Sequence, residues 1–180
     1  MILENDIDFV FIQKPYAICM HASVQTNVPP GYDAFHNLSN DHAFGAAIIV
    51  KSCYSAVSRP VPVQLRNFVS VIDVTTCVGT FRLLSIYVRP SIRDISSTLR
   101  PILDCYLTPT TIIAIGSNAK NRLWNSSTTD NKGMELTYAR SGFDRCQGQT
   151  GGIYHEAPSR IPLAHSTSQG YTNPAFNVFK

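Results

Sequence analysis

Three groups of polar residues come directly after apolar, strand-forming segments, and these are the residues that could do chemistry. They are Gln13-Lys14-Pro15-Tyr16, Tyr87 with Arg89-Pro90, and Gly116-Ser117-Asn118. Ligands of layered α/β proteins bind beyond the carboxyl ends of strands, so the three groups could converge on one site. An ammonium, a phenol, a hydroxyl and an amide can all hydrogen-bond to a phosphate.

Hydrophobic patterning predicts the elements that would position these groups. Strands are expected at 8–13, 45–50, 67–76, 82–88 and 110–115, with helices at 91–107 and 131–139. In the fourth strand, alternation places Leu84, Ile86 and Val88 on one face and Ser85 and Tyr87 on the other. Pro101 is expected to kink or divide the first helix. Asn131 is the expected cap of the second. Strands and helices in this order indicate an α/β fold, a layered sandwich of mixed sheets.

Two further segments lack a periodic pattern. Residues 16–44 are rich in Asn, Pro, Asp and Ser and are predicted to form one long loop. Its histidines, His21, His36 and His42, lack ligand spacing and are expected to be solvated rather than metal-bound. We divide the chain into a domain at 1–136 and a tail at 137–180, which holds only four Ile, Leu or Val residues and is expected to be irregular or disordered.

Composition limits the function classes. The 180 residues are 44% hydrophobic and 15% charged, which fits one globular domain. The net charge of +3 is spread singly along the chain, so it is compatible with a polyanionic partner without forming a basic tract. The five Cys include no C-x-x-C pair, and we expect Cys53, Cys77 and Cys105 to be buried reduced thiols. Reduced thiols fit an intracellular protein, nuclear or cytoplasmic, and with no membrane-length apolar run we expect no membrane partner.

The order of these motifs resembles the endonuclease/exonuclease/phosphatase family, in the branch carried by non-LTR retrotransposons. Residues 8–16 resemble its strand ending in Gln-Glu-Pro-Tyr, and residues 45–50 its next strand. Residues 84–90 resemble its Ser-x-Tyr-x-x-Pro strand, and residues 116–124 its Gly-Asp-x-Asn-Ala-x-x-x-x-Trp signature. Residues 131–133 resemble the start of the following helix, so the pattern extends from Asp6 to about Leu136.

The resemblance implies a magnesium-dependent endonuclease that nicks DNA. It assigns the catalytic positions to Lys14, Tyr87, Ser117 and Asn118. In active relatives a Glu holds the metal, while an Asp and an Asn orient water and the scissile phosphate. Here Lys14 matches the Glu and Ser117 matches the Asp. A dication about 4 Å from an ammonium meets at most about 8 kcal/mol of repulsion at an effective dielectric near 20. We therefore predict that this chain binds no magnesium and does not cut.

Other expectations follow from the same comparison. The family's opening strand with its Asn and its terminal Ser-Asp-His element have no counterpart, so the sandwich is expected to be incomplete at both ends. Asp41 and Asp73 are the nearest replacement carboxylates, but they fit a loop cap and a surface strand position better. Asn118 also fits a simple turn former, Tyr87 a strand aromatic and Trp124 a packing anchor.

Two alternatives remain open, and the sequence leaves the oligomeric state open as well. The chain could be a non-catalytic remnant that binds nucleic acid or protein. It could also be a mobile-element fragment without function, whose tail from Thr137 is read out of frame. Salt-dependent DNA binding favours the first alternative. The flanking nucleotides, translated in all frames, test the second.

Overall fold

A computed structural model describes residues 6–15, 17–20, 23–26, 28–38, 45–124, 126–137 and 175–179. The chain divides into two compact units. The first comprises Met1–Tyr87, Thr111–Gly116 and Ser168–Lys180, and the second comprises Val88–Thr110 and Ser117–Thr167.

The described residues form ten strands, two α-helices and two short 3₁₀ helices. The strands are β1 (Phe9–Gln13), β2 (Ala17–Met20), β3 (Ser23–Thr26), β4 (Tyr32–His36), β5 (Ala46–Lys51), β6 (Ser55–Ser58), β7 (Val69–Thr76), β8 (Gly79–Tyr87), β9 (Thr111–Gly116) and β10 (Ala175–Phe179). The helices are α1 (Ile95–Tyr106) and α2 (131–137), and the 3₁₀ helices are Val63–Leu65 and Arg122–Trp124.

Two four-stranded sheets of the first unit share one apolar core. Their strand orders are β10-β1-β5-β4 and β6-β7-β8-β9, and β2 pairs with β3 separately. All these pairs are antiparallel except β8 with β9, which is parallel. The core between the sheets consists of Phe11, Ile48, Val50, Ile72, Val74, Leu83 and Ala114. The mixed, layered α/β class predicted from the sequence is therefore observed.

The five predicted strands are confirmed as β1, β5, β7, β8 and β9, each within three residues of its expected ends. The single long loop predicted over 16–44 is wrong, since β2, β3 and β4 lie within it. The strand β4 reads Tyr-Asp-Ala-Phe-His, with no clear alternation. It forms because its backbone pairs with β5, and the hydroxyl of Tyr32 donates to the carbonyl of Ile7 at 2.7 Å. Long-range pairing of this kind overrides local propensity.

The predicted tail also contributes a strand. Residues 175–179 form β10, which pairs antiparallel with β1, so that Phe9 lies opposite Phe179. A five-residue segment without a convincing alternation becomes a strand because β1 offers it an edge. The division of the chain at residue 136 stays a prediction.

The helix α1 is continuous through Pro101, so the predicted division is wrong. Its five buried side chains, Ile95, Leu99, Ile102, Leu103 and Tyr106, come from both sides of the proline. Burial along the whole helix offsets the one lost backbone hydrogen bond. Asp94 caps the helix by accepting from the N–H of Ser97 at 3.0 Å. Neither helix of the described residues is long and apolar enough to cross a membrane.

The expectation of buried thiols is also wrong. Cys53, Cys77 and Cys105 are exposed. The first two lie in turns, at the ends of β5 and β7, and Cys105 is on the exposed side of α1. Neighbouring apolar residues suggested burial, but turns and helix periodicity place these side chains outside the core.

Candidate functional site

Lys14 lies at the point where β1 ends, in a backbone conformation that is rare for a side chain other than glycine. Its φ is +57°, and its N–H donates to the carbonyl of Gly45 at 2.9 Å. The ammonium nitrogen lies 5.7 Å from the centre of the Tyr87 ring. This is the distance of a cation–π contact. The structure thus brings together two of the four predicted site residues.

Gln13 of β1 and Ser85 of β8 form a buried polar pair next to Lys14 and Tyr87. The two residues are 2% and 0% exposed, and the Gln13 amide donates to the Ser85 hydroxyl at 3.4 Å. Gly116 packs directly against Gln13, since a Cβ on that glycine would lie 2.5 Å from the Gln13 Cγ. We call Gln13, Lys14, Ser85 and Tyr87 the Lys14 cluster. Because Ser85 contacts Gln13 and Tyr87 contacts Lys14, the predicted placement of Ser85 and Tyr87 on one face of β8 is confirmed.

The carboxylates Asp6 and Asp8 of the first unit are engaged away from this cluster. Both bond the Lys51 ammonium, at 2.6 and 3.1 Å. The hydrogen bond that Lys51 donates to Asp6 raises the pKa of Lys51 well above its ordinary value. The two acids therefore join the start of β1 to the end of β5.

Asp73 was considered as a replacement metal ligand and is instead paired with two arginines. Arg82 Nε donates to one carboxylate oxygen at 2.8 Å, and Arg59 Nε to the other at 2.6 Å. The Arg82 hydrogen bond, followed by that from Arg59, holds the Asp73 pKa below its ordinary value. Another carboxylate, Asp33 on β4, lies opposite Val50 of β5. Gln13 lies opposite Ala46, so these two pairing positions are about 14 Å apart along β5.

Ser117 and Asn118 begin the second segment of the second unit, where they form a turn directly after β9. The Ser117 side chain is buried, and its hydroxyl accepts from the N–H of Ala119 at 3.3 Å. Asn118 has φ of +53°, which suits an asparagine turn residue. The family signature has two residues between its Gly and Asn, whereas this chain has only Ser117. The loop is therefore shorter than the pattern that it resembles.

The loop after this turn is fixed by residues that sequence reasoning missed. The Asn121 amide donates to Gly133 O at 3.1 Å and to Thr137 Oγ1 at 2.9 Å, while its oxygen accepts from the Leu123 N–H at 3.0 Å. Asn121 lies ten or more residues from both helical partners, so no local pattern marks it.

The sequence predicted Asn131 as the cap of α2, and this prediction is wrong. The cap is Asp130. The Asp130 carboxylate accepts from the N–H groups of Gly133 at 2.7 Å and Lys120 at 3.0 Å. Only Asp130 has non-helical backbone directly before the helix, which is the cap position. It ties the helix to the loop as well.

The described residues of the Lys14 cluster do not fit a magnesium site, since none of them is a carboxylate. Among the described residues, no three His, Cys, Asp or Glu side chains group as metal ligands. By its motif, Lys14 matches the family's metal-binding Glu, and an ammonium cannot supply the oxygen ligand that magnesium requires. Tyr16, His21, Asp41, His42, His155 and His165 lie outside the described residues, as does the side chain of Trp124.

Comparison with known proteins bears on these motifs directly. Residues 81–155 match the family model described as "Endonuclease-reverse transcriptase". The segment of this chain that matches the family model includes Tyr87, Ser117 and Asn118, but not Lys14. Lys14 is assigned from its motif and its place after β1. No curated protein matches the sequence.

The fold is similar to that of a solved structure, one of seven matching chains. It is the "Endonuclease domain of TRAS1, a telomere-specific non-LTR retrotransposon", with a TM-score of 0.61 and 23% identity. The match covers 78% of this chain, which spans 60% of the length of that domain. The resemblance to retrotransposon endonucleases is therefore confirmed for the fold, and for the sequence over residues 81–155.

Proposed function

We propose that this chain is an endonuclease-type domain of a non-LTR retrotransposon that binds DNA but does not cleave it with magnesium. One observation carries the proposal. The Lys14 ammonium lies over the Tyr87 ring, 5.7 Å from its centre, and Lys14 matches the family's metal-binding Glu in the motif that residues 8–16 resemble. A fixed positive charge attracts the phosphodiester and repels a divalent cation.

The electrostatic argument does not depend on Lys14 alone. Ser117 replaces a carboxylate by a neutral hydroxyl that accepts a backbone hydrogen bond. Of the described carboxylates in the first unit, Asp6, Asp8 and Asp73 are held in ion pairs. Relative to the family pattern, two negative charges are lost and one positive charge is gained, and none of the four residues of the Lys14 cluster is a carboxylate.

Nicking of supercoiled plasmid by the purified chain tests the loss of cleavage. We expect no magnesium-dependent nicks above those produced by Asn118→Ala, which controls for contaminating nuclease. Nicking by the natural chain that disappears in Asn118→Ala would overturn the proposal. Magnesium titration followed by calorimetry gives a second readout, since tight stoichiometric binding also contradicts it.

DNA binding is tested by fluorescence anisotropy over a range of salt concentrations. We expect the affinity to fall steeply as salt rises, because phosphate contacts release counterions. Lys14→Glu reverses the charge of the Lys14 cluster and should weaken binding, whereas Lys14→Arg keeps the charge and should preserve it. Absent or salt-insensitive binding would contradict this part of the proposal.

A further inference from the structure

The first unit contains a groove that none of the predicted site residues line. Its volume is ≈ 520 Å³. The lining residues are Asn37, Leu38, Pro60, Val61, Val63, Arg66 and Asn67. This volume falls within the range of about 300–1,000 Å³ that small-molecule sites occupy.

The groove is joined to the Lys14 cluster through Gly45. The Gly45 carbonyl accepts the Lys14 N–H at 2.9 Å, and the next N–H, of Ala46, donates to the Asn67 carbonyl at 3.2 Å. Gly45 is packed so tightly that a Cβ would lie 1.7 Å from the Asn67 oxygen and 2.6 Å from the Leu38 Cδ2. One residue therefore contacts both the end of β1 and the wall of the groove.

The charge of the groove suits a phosphate. Arg66 is exposed and makes no ion pair with any described residue. None of the described lining residues is acidic, and Asn37 is already anchored by donating to the Val69 carbonyl at 3.3 Å. An arginine fork without a carboxylate partner binds phosphate oxygens through two parallel hydrogen bonds.

The apolar side of the groove suits a sugar and a base. Val63 is 72% exposed and Val61 only 7%, so the wall runs from solvent into the unit. Pro60 lies beside them. Apolar surface next to a phosphate-binding cation is the pairing that flexible single strands use, with the base against the wall and the backbone on the charge.

We propose that this groove binds one nucleotide of a DNA strand next to the phosphodiester held at the Lys14 cluster. Arg66 contacts its phosphate, and the Val61–Val63 wall contacts its sugar and base. The inference rests on the proposed function, because the strand must first engage the Lys14 cluster. It adds a second contact that lies beyond the four predicted site residues.

Binding of a fluorescein-labelled single-stranded oligonucleotide tests the groove. Arg66→Gln should raise the dissociation constant about tenfold at low salt and reduce the salt slope by about one. The control is Arg100→Gln, an equal charge loss at an exposed position of α1, and it should change the constant less than about twofold. Equal effects of the two variants would overturn the inference.

A second pair of variants tests the apolar wall. Val63→Glu places an acid in the groove and should weaken binding at least as much as Arg66→Gln. Val78→Glu makes the same change at another exposed valine, 79% exposed in the turn between β7 and β8, and should have little effect. Equal losses of DNA affinity in both valine variants would contradict nucleotide binding in the groove.

The outcomes separate the two proposals. If the natural chain binds and Lys14→Glu weakens binding while Arg66→Gln does not, the groove fails and the proposed function stands. If the natural chain binds no DNA, both fail. Circular dichroism of each variant shows whether it is folded, and Arg66→Lys, which retains the charge, should recover part of the affinity.

Discussion

Gly133 lies so close to Lys120 that a Cβ on the glycine would sit 1.9 Å from the Lys120 carbonyl oxygen. This contact explains a glycine inside α2, where it otherwise lowers helix stability by about 1 kcal/mol. The missing side chain lets the loop after β9 lie against the helix backbone. Asn121 and Asp130 then hold the loop in that position.

Gly133→Ala should therefore destabilise the protein, although the same change in a free helix is stabilising. We expect the free energy of unfolding to fall by about 1–3 kcal/mol, as in other overpacked sites. Urea denaturation measures it. Ser96→Ala, at an exposed position of α1, serves as the control and should not destabilise comparably. A gain in stability for Gly133→Ala would show that the loop does not approach the helix in this way.

Asn121→Ala should lower the free energy of unfolding by about 2–3 kcal/mol. The variant loses the two hydrogen bonds that the Asn121 amide donates to Gly133 and Thr137, and the one that its oxygen accepts from the Leu123 N–H. Asn121→Asp has the same shape, but it places a carboxylate oxygen against the Gly133 carbonyl and should be worse than the alanine variant. Thermal denaturation ranks the three proteins. An aspartate variant as stable as the natural chain would refute the assigned bonds.

Asp130→Ala should cost about 1–2 kcal/mol, because it removes the cap of α2 and the bond to Lys120. Asn131→Ala, one residue later, should be neutral within about 0.5 kcal/mol or slightly stabilising, since it is an exposed helical position. Chemical denaturation of both variants compares them. The reverse order would restore Asn131 as the cap.

Asp73→Asn should lower the free energy of unfolding by about 1–2 kcal/mol, because Arg59 and Arg82 lose their shared carboxylate. The Asp73 pKa is lower in the folded than in the unfolded chain. The contribution of Asp73 to the free energy of unfolding is therefore complete above pH 3.8, its ordinary pKa, and is lost as the pH falls below that value. Denaturation curves at several acidic pH values measure the difference from natural protein. Asp33→Asn, at an exposed strand position, is the matched control and should have little effect.

Acidification should destabilise the protein through His36, which is half-buried in β4. Burial lowers its pKa below the ordinary 6.5, and its Nδ1 accepts the Leu38 N–H at 3.4 Å. The unfolded chain then binds more protons below pH 6.5, so stability contributed by neutral His36 is full above that pH and falls below it. The free energy of unfolding, measured about one pH unit above and below 6.5, shows the loss. His36→Gln should reduce it. An unchanged pH dependence in that variant would exclude His36.

The five predicted strands show where local sequence was sufficient. Residues 8–13 and 45–50 are continuous apolar runs, and such runs form buried strands in almost any layered fold. The strands β4 and β10 carry no comparable pattern. Each forms by pairing with a stronger neighbour, β5 or β1, and a pattern-based prediction has no access to that neighbour.

For the candidate site, the amino-acid sequence by itself determined the residue types and their order. By resemblance, it matches Lys14 and Ser117 to the family's carboxylate positions, and that match is the basis for the net charge proposed for the site. Only the tertiary structure decided which groups meet. The Lys14 ammonium reaches the Tyr87 ring, and Gly45 joins β1 to the groove with Arg66, because strand pairing brings residues together that are tens of positions apart. Contacts at such separations depend on sheet register, which short-range patterns do not encode.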